Sequence, residues 1–93
     1  MPTAECCKIV NKIDEFVILA AFTGLPQIKF EDEIINILQA HNIPELIIEK
    51  ILVASWALVP HMRKLGSSSE RCLASRMVLV PLVEEAFSET YKA

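Results

Sequence analysis

Ninety-three residues make a single domain, 53% hydrophobic and only 6% aromatic. So short a chain excludes the large dinucleotide-binding and barrel enzymes, and its aliphatic richness excludes a disordered tail. Nine Lys and Arg against twelve Asp and Glu leave a net charge of −3, which disfavours a duplex-binding module, because phosphate neutralisation supplies most of that affinity.

The first helix is expected to start after Thr3, a good N-cap, with Glu5 in its first turn. Cys6, Ile9, Val10, Ile13, Val17 and Ala20 recur at helical spacing, with Glu5, Lys8, Lys12 and Glu15 opposite. Every residue from Phe16 to Phe22 is apolar, so this half is expected to be covered on all sides, by the chain itself or by a neighbour. Gly24 ends the helix and Pro26 stops its continuation.

A second helix is expected from about Phe30 to Ala40, its Glu31, Asp32 and Glu33 cluster suiting the positive end of the helix dipole. Ile34, Ile37, Leu38 and His41 follow the i, i+3, i+4, i+7 pattern. Asn42 is the expected N-cap of a third helix, with Pro44 in its first turn. That helix is apolar on most sides through Leu58, and Pro60 is expected to break or kink it. Ser67 with Glu70 has capping-box spacing and opens a fourth helix, whose buried face is expected at Leu73, Met77, Val80, Leu82 and Val83. Pro81 interrupts it, and residues 84–91 are expected to end raggedly.

The fold class is therefore all-α: four helices, or five, in a compact orthogonal array or bundle with kinks at Pro60 and Pro81. One domain spans 1–93, with 1–3 and about 90–93 frayed. The longest charge-free stretches, Phe16–Ile28 and Ile51–Met62, are too short to cross a bilayer, and no secretory signal is visible. Cys6, Cys7 and Cys72 are odd in number, and two are adjacent, which suits a reducing compartment. The expectation is a soluble, cytoplasmic protein.

Chemistry finds little foothold. Cys6 and Cys7 diverge by about 100° on a helix, and His41 and His61 form no metal-binding pair, so no metal or other cofactor is expected. No nucleophile elbow or glycine-lined oxyanion loop is present, so no catalytic residues are assigned. The cysteines read as small hydrophobes. A thiol role would fall on Cys6 near the terminus, and thiol or acid–base chemistry on Cys72 with His61. The loop at Gly66 opens a helix beside basic residues, which makes Arg63, Lys64, Ser67, Ser68 and Arg71 a candidate anion site or a phosphorylation target.

Residues 33–52 can be read as a helix-turn-helix, but the would-be recognition helix offers Glu45 and Glu49 with only Lys50 basic. Such a reader would rely on Arg63, Lys64, Arg71 and Arg76, presented by an oligomer. The apolar surplus points elsewhere. The stretches Phe16–Phe22 and Ile51–Leu58 cannot both be central in so thin a domain, so at least one is expected to meet another chain. The leading expectation is a non-enzymatic protein-interaction module, acting as a homo-oligomer or as a small subunit, adaptor or regulator. Phe16, Phe22, Trp56 and Leu58 are its expected partner surface. An apolar-ligand pocket lined by Phe16, Phe22, Trp56 or Met77 is the competing reading.

Overall fold

A computed structural model describes residues 3–88, which form α1 (Ala4–Phe22), α2 (Gln27–Ala40), α3 (Glu45–Lys64) and α4 (Ser68–Ala86). Among the described residues there is neither a strand nor a fifth helix. Of the ends expected to fray, all but Thr3 lie outside those residues.

The helix boundaries follow local chemistry. Thr3 caps α1 by accepting the Cys6 N–H at 3.0 Å, and Gly24 takes φ +73° just beyond the helix, where a left-handed residue lets the chain turn away. Pro26, at φ −63° and ψ 147°, is the N-cap of α2, so this helix starts at Gln27, a turn earlier than its periodicity implied. Asn42 is not the cap of α3. It adopts φ 57° in the turn, a conformation its short polar side chain tolerates, and Pro44 takes the cap position. Ser67 caps α4 by accepting the Glu70 N–H at 3.2 Å. Helices α3 and α4 each run on past Pro60 and Pro81, so neither proline splits its helix. Both prolines lie on exposed faces, where water can replace the missing N–H donor.

Side-chain contacts set the directions. His41 Nδ1 lies 2.9 Å from Glu5 Oε2, joining the end of α2 to the start of α1. Arg63, at the end of α3, reaches the carbonyls of Ala20 and Ala21 at the end of α1. Arg76 meets Cys7 and Arg71 covers Phe22, so α4 runs against α1. Lys50 with Glu85, and Arg71 with the Leu65 carbonyl, set α4 against α3 in the same sense. The chain thus runs up, down, up, down. Helix α1 packs on all three others, whereas α2 and α4 barely touch, so these two flank a central α1–α3 pair. The molecule is flattened, 41 × 29 × 17 Å.

The core draws Ile9, Ile13 and Val17 from α1, Phe30, Ile34 and Leu38 from α2, Ile47, Ile51 and Met62 from α3, and Leu79 and Val83 from α4. In α4 the buried face matches the expected one at Val83 but not at Leu73 and Met77. Ser75, Leu79, Val83 and Ala86 point inward, while Leu73 and Met77 stand 60% and 69% exposed. The reason is polar. Ser75 donates a 2.5 Å hydrogen bond to Asp14 Oδ1, so a hydroxyl can occupy the interior and the helix turns its larger side chains outward.

Candidate functional site

The four residues expected to form a partner surface have separate fates. Leu58 is only 5% exposed and belongs to the core, because 51, 55, 58 and 62 share one helical face. Phe16 is half-buried against the same core. Trp56 packs its ring on Phe30 with centroids 5.1 Å apart and is half-buried. Only Phe22 is wide open, with the Arg71 guanidinium 5.2 Å above its ring.

Two apolar surfaces remain uncovered. One lies on α4, where Leu73 and Met77 are exposed one turn apart on either side of the level set by Ser75 and Asp14, while Leu19 and Phe22 are exposed toward the end of α1 with Arg71 over Phe22. The second surface runs along α3. Val53 is 73% exposed and Leu46 nearly as much, with Ala57 and Pro60 open on the same stripe. Around Val53 lies a shallow trough of about 860 Å³, floored by Ala54, Trp56 and Ala57. Gln27 and Glu31 wall it from α2, and Leu82 from α4. Of the residues expected to line an apolar pocket, only Trp56 faces this trough. Val53, Leu46, Leu73 and Met77 escaped the sequence reading of the surface. The signal that could have found Leu46 and Val53 is helical phase: 46, 53, 57 and 60 lie opposite the inward positions 47, 51, 58 and 62.

The candidate anion loop is largely engaged within the chain. Arg63 Nε donates to the Ala21 carbonyl at 3.0 Å and Nη2 to that of Ala20 at 3.4 Å, capping the negative end of α1. Arg71 Nη1 donates to the Leu65 carbonyl at 3.1 Å, and Ser67 caps α4. Of the five residues, Lys64 and Ser68 make no such side-chain bond among the described residues. In the helix-turn-helix segment, Lys50 sits 3.3 Å from Glu85, while Glu45 and Glu49 are exposed at the front of α3.

The thiols divide by depth. Cys6 is fully buried, and burial, aided by the nearby Glu84 carboxylate and the Cys7 thiol, pushes its pKa up to about 11 against a smaller opposing pull from Arg76. A buried thiol of this kind packs as a small hydrophobe, which disfavours the thiol role expected of Cys6. Cys7 is half-buried beneath Arg76, and Cys72 is exposed. Among the described residues no group of three His, Cys, Asp or Glu could hold a metal ion, and no buried polar side-chain atom lacks a hydrogen-bond partner. No described helix is long and apolar enough to cross a membrane. The chain matches no protein-family model, no curated protein and no solved structure.

Proposed function

We propose that this chain is a non-enzymatic helical interaction module that works by joining a protein partner, either a second copy or a subunit of a larger assembly. The supporting observation is the placement of its exposed apolar side chains. Val53 and Met77, 73% and 69% exposed, each stand within a group of apolar neighbours rather than singly. A domain of this size that leaves such groups in water gains more by covering them with protein than by folding alone. Three free cysteines suit work in a reducing, cytoplasmic setting.

Site-specific photo-crosslinking in living cells tests the reading. A photoreactive side chain at position 53 or 73 is expected to capture protein, whereas one at the exposed polar Asn36 is not. Absence of protein adducts from both apolar positions overturns the proposal.

A further inference from the structure

We infer that the exposed face of α3 is a self-complementary surface that receives the antiparallel α3 of a second copy, forming a two-fold dimer. This rests on the interaction reading above and names the partner. Leu46, Lys50, Val53, Ala57, Pro60 and Lys64 are all exposed and recur at spacings of three and four, one continuous stripe down the helix. Its centre, Val53 and Ala57, is apolar. Glu45 and Glu49 are exposed at the N-terminal end, where Lys50 is already held by Glu85, and Lys64 is exposed at the C-terminal end. None of Glu45, Glu49 and Lys64 enters an ion pair or hydrogen bond among the described residues.

That polarity selects the partner and its direction. A second copy laid antiparallel, with the two-fold axis passing between Val53 and Ala57, sets Val53 of each chain over Ala57 of the other. The same register brings Lys64 of each chain between the levels of Glu45 and Glu49 of the other, twice over. A parallel arrangement would set Glu45 on Glu45 and Lys64 on Lys64, juxtaposing like charges at both ends. Ala54 and Ala57 have no bulk to hold the helices apart, and the trough beside Val53 gives the opposing ridge a depression to enter.

Size requires more than the α3 stripe alone. A stable interface buries about 800 Å² per partner, roughly a seventh of the 5700 Å² surface. One helix strip about 30 Å long and 10 Å wide covers only about 300 Å² in plan, so the trough's flanks must also take part. Glu31 from α2 and Leu82 from α4 stand where they can. The contact is isologous, so it closes at two copies and leaves the Leu73 and Met77 surface free.

The test is the mass of the purified full chain by sedimentation equilibrium, up to about 200 µM, where micromolar dimers are populated. The wild type is expected at twice the chain mass. Val53→Glu and, separately, Ala57→Glu should weaken the dimer at least about a hundredfold, because each buries a carboxylate in the seam. Their helical circular dichroism should be unchanged, since both sites are exposed in the single chain. The double variant L73E/M77E should remain dimeric. Glu49→Lys should weaken association, and adding Lys64→Glu in the same chain should restore it to within about tenfold of wild type.

Loss of the dimer in L73E/M77E but not in Val53→Glu overturns the inference, as does failure of Lys64→Glu to rescue. A monomeric wild type overturns it too. If residue 53 still crosslinks to other proteins in cells, the interaction reading survives that failure; if neither 53 nor 73 does, both fall together.

Discussion

Ser75 of α4 donates a 2.5 Å hydrogen bond to Asp14 of α1, and this one contact orients α4 about its own axis. Ser75 is fully buried, so its hydroxyl must have a partner, and Asp14 is the partner. Ser75→Ala removes the donor and leaves the carboxylate half-buried with one acceptor unfilled. It is expected to cost about 1–3 kcal/mol, read as a lower urea midpoint at unchanged m-value. Asp14→Asn keeps a carbonyl acceptor at the same place and should cost less than Asp14→Ala.

Arg63 is expected to matter for the end of α1 rather than for anion binding. Its guanidinium covers the carbonyls of Ala20 and Ala21, which α1 itself cannot satisfy. Arg63→Ala should lower stability by about 1 kcal/mol and speed hydrogen exchange at the last-turn amides of Phe22 and Thr23. The contact is part-exposed, so solvent screening keeps the effect small. Sulfate or phosphate added at physiological ionic strength should not recover the loss.

The helices were legible because capping and breaking residues are local. Thr3, Gly24 and Ser67 act through their own backbone neighbours, so spacing alone placed three boundaries. Asn42 and Pro44 were misassigned because both suit a helix start, and only the tightness of the α2–α3 turn decides which one adopts φ > 0. The face of α4 was hidden for a different reason. Its apolar residues surround the helix, and the choice between Leu73 and Ser75 as the inward residue depends on Asp14, sixty-one positions away. The same limit applied to the partner surface: aromatic size drew attention to Trp56 and Leu58's neighbourhood, whereas exposure is decided by phase, which put Val53 outside and Leu58 within.

Cys6 provides a pH dependence with a definite sign. Its folded pKa of about 11 lies above the ordinary thiol value of 9.0, so the folded state holds the proton more tightly than the unfolded chain. The group's contribution to stability is whole below pH 9 and is lost as pH rises toward 11. Urea midpoints measured at pH 8, 9.5 and 10.5 should fall more steeply for wild type than for Cys6→Ala. Iodoacetamide at neutral pH should label Cys72 first and Cys6 last, and denaturant should abolish that order. Equal labelling of the folded chain would contradict the burial of Cys6.

Phe30 and Val53 should separate folding from association. Phe30 is fully buried between α2 and α3 with its ring on Trp56, and replacing it by Ala leaves a cavity that so thin a domain has little material to fill. A loss of about 3–5 kcal/mol is expected, enough to unfold much of the population, with a red-shifted Trp56 emission as the readout. Val53→Ala removes two exposed methyl groups and should change the stability of the single chain by less than about 0.5 kcal/mol. At high protein concentration, association adds to apparent stability by mass action, more for the wild type than for Val53→Ala. The Val53→Ala midpoint should then fall below wild type by an amount that grows with concentration. A midpoint difference that stays constant on dilution would assign Val53 to the fold and remove it from the interface.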